Sequence, residues 1–232
     1  MSRAAGPYRG KRAFDLAALV VLAGPALVVA LPCALAVWLT SPGPVLFRQE
    51  RVGRDGRPFQ LLKLRTMVAG DNPTFPDASR ITAVGRLLRR TSLDELPNLV
   101  NVARGEMSIV GPRPTLAYQV ARYDERQRGR LAVRPGLTGL AQVRGRNALP
   151  WSRRIDHDLE YVATQSPRLD LQILVATVGV LAGGAGVEGH PLDDPLSAER
   201  QEVDDPLSAE RREVDDPLSA EGPEREDPPD AP

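Results

Sequence analysis

Apolar positions in this chain concentrate in one block. Leu16 to Leu39 is 24 residues without a charge, dominated by Leu, Val and Ala. As a helix it would run about 36 Å, enough to cross a bilayer. It is too long for a secretion-signal core, and no small-residue cleavage site follows it. Gly24-Pro25 and Pro32 interrupt the block. A proline inside a helix removes a hydrogen bond and bends the chain. Arg3, Arg9, Lys11 and Arg12 precede it, and Arg48, Arg51, Arg54 and Arg57 follow it. Lys and Arg beside a membrane segment mark the cytoplasmic side. Equal basic flanks therefore fit a re-entrant hairpin with both ends in the cytoplasm. A plain single-pass anchor is the competing geometry.

After the block the pattern becomes mixed. Residues 45–49 and 59–64 read as short strands, with Arg54-Asp55-Gly56-Arg57 as the turn between them. Helices are expected around 94–104, 115–128, 152–164 and 169–182. The last is apolar on most faces, which suits either a core or a membrane surface. The fold class is thus α+β and mostly helical, with four segments. They are a basic flank (1–12), a membrane-embedded helix (13–40), a catalytic body (41–187) and a tail (188–232). In the tail, Asp193-Asp194-Pro195-Leu196-Ser197-Ala198-Glu199 returns with a period of 11. Each unit holds a proline and little large apolar surface, so the tail is expected to be disordered. It is either a solvated appendage or a docking arm for a protein partner.

Charge sharpens the division. Net charge is zero, yet residues 1–187 carry 26 Lys/Arg against 14 Asp/Glu, and the tail carries 4 against 16. A basic body calls for an anionic partner such as phosphate or anionic lipid. Aromatics are only 4% of residues, which argues against nucleic acid held on stacking platforms. Cys33 is the only cysteine, so no disulfide forms within one chain. The two histidines, His157 and His190, form no zinc pattern, and no nucleophile-elbow serine is present.

The candidate chemistry begins at Ser92-Leu93-Asp94-Glu95-Leu96-Pro97. Two adjacent carboxylates can share a Mg2+ whose shell substrate phosphates complete, and one can attack phosphorus. Ser92 and Glu95 also have capping-box spacing. Pro97 disfavours that register and points to Asp94 as the N-cap of the following helix, where the helix dipole favours anions. Capping and catalysis both remain open locally. Basic side chains gather nearby: Lys63 and Arg65 end the second strand, Arg89 precedes the dyad, and Arg113 stands between two prolines that stiffen its backbone. Arg134-Pro135-Gly136-Leu137-Thr138-Gly139, followed by Gly145-Arg146-Asn147, is a Gly-rich basic stretch whose amides could approach a phosphate, though it is no P-loop.

Together these blocks resemble the bacterial sugar transferase family, the monotopic phosphoglycosyl transferases, over residues 11–187. The resemblance rests on Lys11-Arg12-Ala13-Phe14-Asp15, Thr40-Ser41-Pro42-Gly43-Pro44, Lys63-Leu64-Arg65-Thr66-Met67, the Asp94-Glu95 segment, Met107 to Pro114, and the Arg134 and Gly145 blocks. It implies transfer of a sugar-1-phosphate from a UDP-sugar to polyprenyl (undecaprenyl) phosphate, with release of UMP. Asp94 would be the nucleophile, forming an aspartyl-phosphosugar, and Glu95 would support Mg2+ with it. Arg113 would clamp phosphate, with Lys63, Arg65 and Arg89 supporting and Arg146 on the nucleotide side. The resemblance places such proteins in the bacterial inner membrane, facing the cytoplasm, as in polysaccharide assembly. Gly24-Pro25 lies about one turn earlier than the Ser-Pro break of many members. A catalytically silent membrane scaffold is the alternative, and the intact dyad argues against it.

Overall fold

The computed structural model describes residues 6–68, 78–145 and 149–183. The repeat tail and Arg146 lie outside them. Helix α1 spans Lys11–Thr40 and carries Pro25 and Pro32 within it. It is long and apolar enough to cross a membrane, with a mean hydropathy of 2.5 over its most apolar window. Its surface is bare in the middle, where residues 20–25 are exposed on every face. Val20, Val21 and Val28 are each more than 70% exposed. That much uncovered apolar surface suits a bilayer, not water.

Both ends of α1 are fastened to the same body. At the N-terminal end, the Lys11 ammonium donates to Asp170 at 2.6 Å and sits 3.2 Å from Asp15. Asp15 in turn accepts from the Ser108 hydroxyl and the Ile109 amide. The Arg12 guanidinium donates to the Val102 and Ala103 carbonyls, where a helix end leaves acceptors free. At the C-terminal end, Val37, with Cys33 and Ala34, packs against Leu64, Leu88 and Leu93.

Strands β1 (Leu46–Val52) and β2 (Pro58–Leu64) form an antiparallel hairpin, from Leu46 opposite Leu64 to Val52 opposite Pro58. The turn uses Asp55 and Gly56, both at positive φ, as an Asp-Gly turn does. Helix α2 (Ala83–Thr91) follows, started by Thr82, whose hydroxyl accepts from the Gly85 amide. Then come α3 (Asn98–Arg104), β3 (Ser108–Val110), α4 (Ala117–Ala121), α5 (Glu125–Arg128), β4 (Gly136–Thr138), α6 (Leu140–Arg144), α7 (Trp151–Thr164) and α8 (Pro167–Gly183). Among the described residues β3 and β4 form a second, parallel pair.

The expected strands and the last two helices stand where the sequence pattern put them, within a few residues. The helix expected over 115–128 is two short ones. Asp124 breaks it by capping α5: its carboxylate accepts from the Gln127 amide, and the Gln127 side chain accepts from the Asp124 amide. Helix α2 and the β3–β4 pair were not expected. The main core joins Phe59 and Leu61 of β2, Val102 of α3, Ile109 and Val110 of β3, Tyr161 of α7 and Ile173 of α8. Buried Asn101 stitches α3 to β2, accepting from the Leu62 amide and donating to the Gln60 carbonyl.

Gly85 lets α2 lie against the end of β2, because a Cβ there would stand 2.0 Å from the Thr66 carbonyl oxygen. Gly85→Ala gains up to about 1 kcal/mol of helix propensity. The clash is with backbone, which cannot swing aside, so a net loss of about 1–3 kcal/mol is expected. A lowered apparent Tm in detergent micelles, with the wild-type helical content retained, is the predicted outcome.

Candidate active site

The dyad sits on a short 3-10 turn, Leu93–Glu95, between α2 and α3. Ser92 ends α2 at φ 58, a left-handed conformation that turns the chain sharply. This corrects one sequence expectation. Asp94 is not the N-cap of the next helix: α3 begins at Asn98, with Pro97 in the cap position. The amides of Glu95 and Leu96 find their partners within the turn, donating to the Ser92 and Leu93 carbonyls. Asp94 therefore faces side-chain cations where a helix terminus was expected.

Glu95 is the junction. Its Oε1 accepts from Lys63 at 2.7 Å and from Arg113 at 2.9 Å. Lys63 comes from β2, and Arg113 from the turn after β3. Asp94 lies beside them, its Oδ2 3.9 Å from the Lys63 ammonium. It accepts no hydrogen bond from the described residues and is only 7% exposed. Burial pushes its carboxyl above the ordinary carboxylate range, with the Glu95 charge adding and the Lys63 charge opposing. Burial acts on Glu95 in the same direction, but there Arg113 and Lys63, by charge and hydrogen bond, outweigh it and hold the carboxyl far below that range. Adjacent acids with opposite shifts are suited to different tasks. One is a permanent anion that organises cations, and the other is a weakly solvated carboxylate of raised basicity.

Arg113 is held by its backbone. The Arg130 guanidinium donates to the Arg113 carbonyl at 2.8 Å, and is itself locked by Asp158 and the Tyr123 hydroxyl. The parallel strand pair braces the same turn, as the Gly136 amide donates to the Pro112 carbonyl and the Gly111 amide to the Thr138 carbonyl. The Gly-rich stretch thus has a different role from the one its composition offered. Its amides at this point meet protein backbone, and Gly136 is needed because a Cβ would fall 2.1 Å from the Gly111 nitrogen. The Arg113 side chain stays 42% exposed, so most of its donors face outward.

Of the other predicted residues, Arg89 lies within electrostatic reach of Asp94. Arg65 is not brought to the dyad. It is buried, and its terminal nitrogens donate to the Ser41 and Pro42 carbonyls, tying the exit of α1 to β2. Arg146 falls outside the described residues. Arg51, read in the sequence only as part of a basic flank, lies within electrostatic reach of Arg113 and Glu95. Val52 donates to the Thr115 carbonyl, which brings the Arg51 guanidinium to the Pro114 carbonyl. The strand's period of two was the signal, since it puts Arg51 on the face of the hairpin that carries Lys63.

A divalent cation such as Mg2+ takes about six oxygen ligands. Among the described residues no three acidic, histidine or cysteine side chains cluster, so there is no all-protein cage. Two adjacent carboxylates with only Glu95 Oε1 engaged do fit Mg2+, which takes one or two carboxylates and fills its shell with substrate phosphates.

A cationic cradle around two unlike carboxylates thus lies at the foot of a long apolar helix. The chain belongs to the bacterial sugar transferase family, which matches residues 7–184, and it is an enzyme of that type. It is 42% identical over 181 residues to the uncharacterized sugar transferase EpsL of Bacillus subtilis, covering 77% of this chain and 90% of that protein. It is 47% identical over 182 residues to the UDP-glucose:undecaprenyl-phosphate glucose-1-phosphate transferase of Caulobacter vibrioides, covering 72% and 68%. The exopolysaccharide production protein ExoY of Sinorhizobium fredii is 38% identical over 192 residues, covering 72% and 83%.

The Glu95 shift gives a pH prediction. A carboxylate depressed by folding contributes stability above its unfolded pKa of about 4.3, and that contribution fades as pH falls toward the folded value. Glu95→Gln should therefore cost about 1–3 kcal/mol at neutral pH, the loss of two charge-assisted hydrogen bonds. The gap from wild type should narrow below pH about 4. Denaturant midpoints at both pH values check this, and a gap that widens in acid would refute it.

Proposed function

We propose that this chain transfers a sugar-1-phosphate from a UDP-sugar to polyprenyl phosphate, with Asp94 as the nucleophile. The observation that carries the reading is Asp94 itself: a buried carboxylate that accepts no hydrogen bond from the described residues, next to a cation-bound glutamate. The relatives named for UDP-glucose and undecaprenyl phosphate support the substrate class. In the first step an Asp94 oxygen attacks the donor's β-phosphorus. The bond from that phosphorus to the bridging oxygen breaks, and UMP leaves with the electron pair. In the second step an oxygen of polyprenyl phosphate attacks the same phosphorus. The acyl-phosphate bond breaks, restoring the Asp94 carboxylate and yielding polyprenyl-diphosphate-sugar.

The chain's own groups have clear tasks in this scheme. Arg113 and Lys63 face the charge that develops on the phosphoryl oxygens. Glu95 fixes both cations and cannot compete as nucleophile, being held ionised and hydrogen-bonded. The burial that raises Asp94 makes its oxygen more basic and less solvated. Asp94 and Glu95 would hold Mg2+, which neutralises diphosphate charge when bound. UDP-glucose is the first donor to test. Wild type should release UMP in the presence of Mg2+ and polyprenyl phosphate. Asp94→Asn should lose about 10³-fold or more in kcat, as removal of a covalent nucleophile does, while staying folded. An Asp94→Asn protein with full turnover would refute the assignment.

We further propose that α1 is re-entrant, with the body on the cytoplasmic face of the bacterial inner membrane. A straight helix lying along a domain would keep one face covered every third or fourth residue. Here the ends are fastened to one body while residues 20–25 are bare all round, which supports a bent path into lipid and back. Cysteines placed at Ala5 and Asp55, in a Cys33→Ala background, should both be labelled from the cytoplasmic side. Labelling from opposite sides would mean a spanning helix.

A further inference from the structure

Arg51 is an arginine beside the site whose partners among the described residues are few and neutral. The other buried or docked arginines have firmer protein contacts at their terminal nitrogens, although the Nε atoms of Arg65 and Arg130 are also buried without a partner among the described residues. Arg130 has Asp158, the Tyr123 hydroxyl and the Arg113 carbonyl. Arg65 has two carbonyls, and so does Arg12. Arg51 donates to the neutral Gln49 side chain at 2.6 Å and reaches the Pro114 carbonyl only at 3.5 Å, the outer limit of a hydrogen bond. Its Nε is buried without a partner. Among the described residues no carboxylate forms an ion pair with it; the neighbouring Arg113 repels it, and Tyr118 and Glu95, whose bound oxygen is already shared by two other cations, favour its charge.

The backbone enforces this position. In the hairpin register Arg51 stands opposite Phe59, Gln49 opposite Leu61 and Phe47 opposite Lys63. Directly opposed residues share a face, so Arg51 and Lys63 lie on one side of the hairpin, two pairs apart. Arg113, on the adjoining turn, lies within reach of both ends of this row. Lys63 and Arg113 lie beside both acids, with Arg89 within electrostatic reach of Asp94 and Arg51 within reach of Glu95. Such a surplus repels itself until an anion enters. Burial and the neighbouring Arg113 bring the Arg51 guanidinium down to about 10, still protonated at neutral pH.

We propose that Arg51 is a second phosphate ligand, forming with Arg113 a two-guanidinium clamp on the diphosphate of the nucleotide-sugar donor. Planar guanidinium forks suit bidentate contact with phosphate oxygens, and two of them spaced along a strand and a turn match two linked phosphates. The inference rests on the donor class proposed above, so its test includes a measurement independent of turnover. Full-length protein in detergent is titrated with UDP and Mg2+, using wild type, Arg51→Gln and Arg51→Lys. Arg51→Gln should weaken UDP binding by about tenfold or more, the scale of one lost charge-assisted contact, and Arg51→Lys should recover part of it. In the transfer assay the same substitution should raise KM for the UDP-sugar, with a smaller change in kcat. Unchanged UDP affinity in Arg51→Gln overturns the proposal. So does a higher KM for polyprenyl phosphate alone, or wild-type protein that binds no UDP. Wild-type protein that binds UDP through Arg51 yet releases no UMP from any donor would uphold the clamp and refute the transfer reaction.

Discussion

A single carboxylate oxygen, Glu95 Oε1, joins three segments remote in sequence. Lys63 arrives from β2, Arg113 from the turn beyond β3, and Glu95 from the short turn between α2 and α3. Remove that anion and two cations would face each other across a partly buried space, each with its desolvation uncompensated. The rest of the site is arranged around this contact. Arg130 and the β3–β4 pair hold the Arg113 backbone from behind, and Asn101 keeps β2 against α3 so that Lys63 arrives at the right height.

The environments of the two acids explain why an adjacent pair is useful. Glu95 is ionised by its partners and is chemically quiet. Asp94 receives the burial without a hydrogen bond from the described residues, so burial dominates and pushes its carboxyl up. A group in that condition gains most when its charge is transferred into a new bond. The scheme asks the fold to tolerate one uncomfortable carboxylate, a common trade between stability and activity.

Much of this was legible in the chain because it depends on local rules. The hairpin follows from alternation and an Asp-Gly turn, and α1 from an unbroken apolar run. The Lys63, Asp94, Glu95 and Arg113 set follows from residue type and order. What was hidden depends on contacts between segments. The capping role assumed for Asp94 failed because Ser92 enters a left-handed conformation and the chain closes a 3-10 turn before Pro97. Arg65 looked like a phosphate ligand by adjacency, yet the exit of α1 takes its donors. Gly136 looked like a phosphate loop, yet its missing side chain makes room for Gly111. Arg51 was hidden in a basic flank because only strand register shows which way it points.

The packing of Val37 and Cys33 against Leu88 and Leu93 has a further consequence. Leu93 is the residue before Asp94, so the turn that carries the dyad rests on the C-terminal end of the long apolar helix. On the proposed reaction, the acceptor would then be met by lateral diffusion in a sheet and not by collision in a volume. Its effective supply would be counted as molecules per unit area of leaflet. Two cells with equal amounts of enzyme and carrier lipid but different membrane areas would run this step at different rates, a dependence that a soluble enzyme of the same chemistry would not feel.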